Sequence, residues 1–164
     1  VAESKGSKMT KTPEKMLKYL KKIDNLGLKQ VRVIVPADAE HKVAAYADTL
    51  RHDYLNKIAT TADADDPRLQ ELATGRLASA IKPAQIAAWR QDLSQSQHIL
   101  FDRKVLTMQQ EWSKMVLAVQ TKHAAIMRGE TDTERHSALA AVAAMSYRSA
   151  KDDLMQYVAA NSAA

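Results

Sequence analysis

The residues best placed to do chemistry are cations near the start of the chain. Lys15, Lys18, Lys21, Lys22 and Lys29 crowd one short stretch, and Gln30 and Arg32 stand beside them. Lysines at this density gain free energy by displacing counterions from phosphates. Gln and Arg form bidentate contacts with adenine and guanine edges. Each group also has a plainer reading: the lysines as a solvated helix face, Gln30 and Arg32 as an ordinary strand surface. The distribution of charge favours the first reading. Residues 1–35 hold nine cations against Glu3, Glu14 and Asp24, a net +6, while the whole chain is +5. From Ile58 onward twelve cations face twelve anions. A basic arm on a neutral body points to a polyanionic partner.

Other side chains offer less. The histidines at 41, 52, 98, 123 and 136 form no metal-ligand spacing, so they read as ordinary helix histidines. Asp65-Asp66 and Asp152-Asp153 are adjacent acids. Neighbours on a helix point to different faces, so capping and surface roles are expected rather than an acid–base dyad. There is no nucleophile elbow and no glycine-rich phosphate loop. The absence of cysteine excludes disulfides, thiolate metal sites and thiol nucleophiles. The expectation is a protein that is not an enzyme, with no catalytic residue, no metal and no cofactor. Trp89, Trp112, Met108 and Met115 have the spacing of a helix core rather than of a ligand pocket.

The elements that position these residues are mostly helical. Alanine is abundant and glycine rare, a bias that favours helices. Thr12-Pro13-Glu14 predicts a helix start, with Pro13 as first helical residue, and the helix runs to about Leu26. Met16, Leu17, Leu20 and Ile23 form its apolar stripe, and Gly27 its left-handed cap. A second helix opens near Ala37 or Asp38 and carries Val43, Tyr46, Ala47, Leu50, Tyr54 and Ile58. Asp66-Pro67 starts a third, expected to reach Ile81. Lys82-Pro83 opens a long helical pattern to Met127 or Arg128. Its stripe changes phase around Phe101-Asp102, from Ile86, Trp89, Leu93 and Leu100 to Val105, Met108, Trp112, Met115, Val119 and Ile126, which means either a stutter in one long helix or a break into two. A last helix spans about Thr133 to Val158. The long pair is expected to pack antiparallel through the alanine-rich face of the last helix.

Gln30–Val35 differs from everything else. Val31, Val33 and Val35 alternate with Gln30, Arg32 and Ile34, the period of a β-strand, and Pro36 ends it. One short strand leaves its N–H and C=O groups unpaired. No second strand of this quality exists in the sequence, so the economical partner is the same strand of another copy.

The segment GLKQVRVIVPADAEHKVAAYADTL, a strand ending in V-P-A-D and running into a helix, resembles the ribbon-helix-helix DNA-binding proteins, in particular small antitoxin-like regulators of phage and plasmid origin. The resemblance covers residues 12–55. It implies a two-stranded ribbon in the major groove, with Gln30, Arg32 and Ile34 facing base edges and the chain acting in transcription regulation.

The sequence therefore predicts a mainly α protein with one short N-terminal β-strand in an intermolecular ribbon and a C-terminal antiparallel long-helix bundle. Its expected divisions are a flexible basic arm at 1–11, a helix-strand-helix nucleic-acid-binding region at 12–59, a linker at 60–66, and a helical oligomerisation or partner-binding region at 67–160. The expected partner is DNA, with RNA the other polyanion these lysines would serve. Self-association and a protein partner on the C-terminal helices complete the expectation. No apolar run is long enough to span a bilayer and the first residues lack the hydrophobic region of a signal peptide, so no membrane and a cytoplasmic location are expected. The rival reading is a structural or assembly protein, a virion, scaffold or secretion component, working through its long helices.

Overall fold

The chain's high alanine and low glycine content gives a helical molecule with one long hairpin as its backbone. The computed structural model describes residues 13–74 and 79–162; the basic arm expected at 1–11 lies outside them. In chain order the helices are α1 (Glu14–Asn25), α2 (Glu40–Thr61), α3 (Pro67–Ala73), α4 (Pro83–Gln91), α5 (Gln95–Met127) and α6 (Thr133–Asn161). A 3-10 turn at Ala37–Ala39 precedes α2. No helix among the described residues is long and apolar enough to cross a membrane.

α5 has 33 residues, roughly 50 Å at a rise of 1.5 Å per residue. It packs along α6 more extensively than any other pair. The two run antiparallel: Lys104 pairs with Asp153 at 2.6 Å, and Trp112 meets Tyr147 edge to face at 5.0 Å between centroids. The buried residues explain the seam. Phe101, Met108 and Met115 recur every seven residues on α5, and Ala140, Tyr147 and Leu154 do so on α6. A seven-residue repeat keeps one face of each helix against the other. Buried alanines at 138, 140, 141 and 144 let α6 approach its neighbours closely. Burial pushes the Tyr147 phenol above its usual range, and its hydroxyl donates to the Ser79 carbonyl oxygen at 3.0 Å.

Two apolar clusters share α6. Ala138, Ala141 and Val142 join Leu26, Leu55, Ile58, Ala59, Leu69 and Leu72. Ala144, Tyr147, Leu154 and Val158 join Leu93, Phe101, Met108 and Met115. The first cluster takes residues from both sides of the 60–66 connector. Thr60 and Thr61 continue α2, and the Arg135 guanidinium on α6 donates to the carbonyl oxygens of Ala59 and Ala62. It thus satisfies carbonyls that the end of α2 leaves open.

Several sequence expectations need correction. The third helix ends at Ala73, and residues 79–82 are not helical. Lys82 sits at ψ 140°, because a residue before proline is driven from the helical region. The long pattern after Pro83 is two helices, broken at Asp92–Ser94 rather than at Phe101-Asp102. A reciprocal capping box makes the restart: Gln97 reaches back to the Ser94 N–H at 2.9 Å while the Ser94 side chain accepts from the Gln97 N–H. On α5 it is Phe101 that is fully buried, while Leu100 is exposed. Pro13 caps α1, and Glu14 is its first helical residue.

The segment between α1 and the 3-10 turn forms neither helix nor strand in the single chain. The ribbon expected over Gln30–Val35 would need a second chain.

Candidate nucleic-acid interface

α1 places its charges by rotation. At 100° per residue, Lys15, Lys18, Lys21 and Lys22 fall on one side and Met16, Leu17, Leu20 and Ile23 on the other. The helix has no buried residue. Lys15, Lys18 and Lys21 are exposed and Lys22 is half-buried. Lys18 pairs with Glu14 at 3.1 Å, with both side chains largely in water, so the pair is weak and screened. Lys29, Gln30 and Arg32 are exposed on the segment that follows. Six of the seven candidate residues are thus exposed, with Lys22 half-buried and Leu26 buried between the lysines of α1 and Lys29, Gln30 and Arg32.

The base of that stretch is firmly held. Gly27 adopts φ +73°, and a Cβ there would lie 2.7 Å from the Tyr54 hydroxyl. The Leu28 N–H donates to the Ile23 carbonyl oxygen at 3.0 Å and the Gly27 N–H to that of Asp24 at 2.9 Å, closing the helix end. Tyr54 of α2 donates its hydroxyl to the Leu26 carbonyl oxygen at 3.0 Å. Arg68 donates to the same hydroxyl at 3.2 Å and forms a fork on Asp66. Asp66 also caps α3 through the Arg68 N–H at 2.9 Å. Bonding to Arg68 holds the Asp66 carboxyl below its usual range. Gly27 was legible in the sequence. Tyr54 and Arg68 as a clamp were not, because their meeting depends on how α2 and α3 pack.

Replacing Gly27 with Ala tests the clamp. The left-handed backbone alone costs an L-residue about 1–2 kcal/mol, and the Tyr54 hydroxyl must move as well. Urea unfolding should show a loss of at least that size. A loss below about 0.5 kcal/mol would mean that the turn tolerates a side chain.

Past Leu28 the chain loses its apolar partners. Val31 is 70% exposed, Val33 59% and Ile34 fully, while Val35 is half-buried. The first half of α2 leaves Tyr46 and Leu50 in water. Its stripe meets the core only from Tyr54 onward, through Leu55, Ile58 and Ala59.

Several of the other polar residues are occupied structurally. His98 bonds the Arg90 carbonyl oxygen at 2.9 Å, and His136 meets Glu130 at 3.3 Å. Asp153 holds Lys104. Ser146, His52 and Asp53 line up in the order of a hydrolytic triad. The His52–Asp53 separation is 3.9 Å and the Asp53 side chain is 75% exposed, too long and too wet to orient an imidazole. Ser146 lies mid-helix in α6, where the backbone N–H groups are already bonded and cannot form an oxyanion hole. The contact is a tie between α2 and α6. Among the described residues no group of acids and histidines could hold a metal ion.

Two shallow cavities lie along the hairpin. One, of about 270 Å³, is lined by Val119, Lys122, His123, Ile126, Ser137 and Ala140, and the other, of about 200 Å³, by Ile81, Ile86, Met108 and Trp112. Fold and site define a helical protein with an exposed basic N-terminal element. Compared with family models, with curated proteins and with solved structures, the chain matches none.

Proposed function

We propose that this chain is a nucleic-acid-binding regulator, most simply DNA-binding, that acts as a cytoplasmic homo-oligomer. The observation that supports this best is the joint exposure of cations and apolar residues between Glu14 and Leu50. Six cations and two acids lie between Pro13 and Val35, a net +4. On the same stretch Met16, Leu17, Leu20, Val31 and Val33 are exposed, and beyond it, where Lys42 is outnumbered by Asp38, Glu40 and Asp48, Tyr46 and Leu50 are exposed on the first half of α2. Pairing of residues 30–35 with the same segment of a second copy would cover the valines. It would also leave Gln30 and Arg32 on the open face of the ribbon, because strand side chains alternate. The resemblance of residues 12–55 to ribbon-helix-helix proteins agrees with this arrangement.

Base readers and phosphate contacts fail differently. Arg32→Ala should cost about 1–3 kcal/mol on a selected site and relax its sequence preference. Lys22→Ala should weaken selected and random DNA alike and reduce the slope of log affinity against log salt by about one. Fluorescence anisotropy on both DNAs at several salt concentrations measures this. A wild-type protein with no salt-dependent affinity for DNA or RNA removes the reading. An assembly role through the long helices then becomes the better account, and the exposed Ile99, Leu106 and Leu117 of α5 favour it.

A further inference from the structure

The outer face of α5 carries a pattern that the core does not explain. Ile99, Leu106 and Leu117 are 74%, 54% and 64% exposed. At 100° per residue they lie within about 20° of one another and opposite the buried stripe of Phe101, Met108 and Met115. Gln110, Ser113 and Ala124, all exposed, complete the line. No charged residue interrupts it.

The line is also its own reverse. Read from either end, its residues fall at matching distances from a point between Glu111 and Trp112, like against like in the central four and a large apolar residue against a small one at the ends. Leu106 mirrors Leu117, Gln110 mirrors Ser113, and Ile99 mirrors Ala124. Two copies of such a helix laid antiparallel about that point put each residue against its mirror, as a two-fold contact requires. The flanking charges permit it. Arg103 mirrors Gln120, Lys114 mirrors Gln109 and Asp102 mirrors Thr121, so no like charges oppose. Asp102 and Lys114 are already neutralised within the chain, by Arg90 at 2.9 Å and Glu111 at 2.9 Å.

We infer that the face of α5 formed by Ile99, Leu106, Gln110, Ser113, Leu117 and Ala124 is a two-fold self-association surface, on which a second copy of this chain docks antiparallel. This surface is separate from the proposed ribbon and does not rest on nucleic-acid binding. With both present, two N-terminal ribbons would be joined through their hairpins.

Sedimentation of the full chain tests it. Leu106→Glu alone and Leu117→Lys alone should each weaken association about tenfold or more and halve the mass, with helicity unchanged because both sites face water. The two substitutions on one chain should restore the wild-type mass, because the new carboxylate at 106 would face the new amine at 117 of the other copy. The cysteine-free chain allows a second readout. Leu106→Cys protein mixed with Leu117→Cys protein should cross-link through a short bismaleimide. Leu106→Cys protein alone should not, since its two thiols would lie about 16 Å apart along the axis. A mass unaffected by Leu106→Glu, a double variant no better than the singles, or efficient self-cross-linking at 106 overturns the inference.

Discussion

Phe101→Ala should lower the unfolding free energy by about 3–5 kcal/mol, the range for truncating a fully buried large aromatic residue. Phe101 is completely buried in the cluster that joins α5 to α6. It shares that cluster with the buried Leu93, Leu154 and Val158, and how far these can close on the space sets where in the range the loss falls. Arg103→Ala, two residues along and exposed, should stay within about 0.5 kcal/mol. The comparison that decides is Leu100→Ala. Periodicity from Trp89 and Leu93 puts Leu100 on the buried stripe, while the structure leaves it 42% exposed. Urea denaturation of the three variants measures the register of α5. If Leu100→Ala costs more than Phe101→Ala, the helix is rotated from the position described.

The error at Leu100 has an identifiable origin. The stripe of Trp89 and Leu93 reaches Leu100 only if one helix continues across Asp92–Ser94. Residues on either side of a break have no common phase, so the stripe of α4 says nothing about that of α5. The signal for the break was present: Ser94 and Gln97 stand three apart, the spacing of a capping box. A hydroxyl and an amide in a polar run carry little weight unless that pairing is sought. Asp66-Pro67 shows the opposite case. There the cap and the proline act within two residues of each other, and the observed start of α3 coincides with them. The early end of α3 was harder to read. Leu77 and Ile81 continue a helical spacing, yet Lys82, the residue before Pro83, is extended and residues 79–82 form no helix.

The candidate interface divides along the same line. Which lysines share a face of α1 follows from their spacing, because a helix fixes directions by rotation alone. How the following segment is held does not. Tyr54 reads as one more member of an apolar stripe, and its bond to the Leu26 carbonyl oxygen appears only once α2 lies against the end of α1. The alanine-rich face of α6 was legible as a packing surface. That it serves both clusters was not, since periodicity identifies a buried face without saying what covers it.

Val33→Asp should have almost no effect on an isolated chain and a large one on a ribbon dimer. Val33 is 59% exposed in the single chain, where surface substitutions stay within about 0.5 kcal/mol. In a paired ribbon the exposed part of each valine would become buried, contributing roughly 1–2 kcal/mol of the full-burial value. A two-fold axis repeats the loss, so the dimer should lose about 2–4 kcal/mol before any cost of bringing two carboxylates together. At 1.4 kcal/mol per tenfold, that is at least about twentyfold in dissociation constant. Thermal unfolding under dissociating conditions should leave the variant matched to wild type, while sedimentation shows weaker association and anisotropy shows lost DNA affinity. Lys22→Ala, in contrast, should lose affinity without dissociating. If Val33→Asp associates and binds DNA as wild type does, residues 30–35 do not pair across a two-fold axis. Gln30 and Arg32 then lose the rigid strand that would aim them at base edges, and the lysines of α1 would be left to act as a sequence-independent phosphate contact.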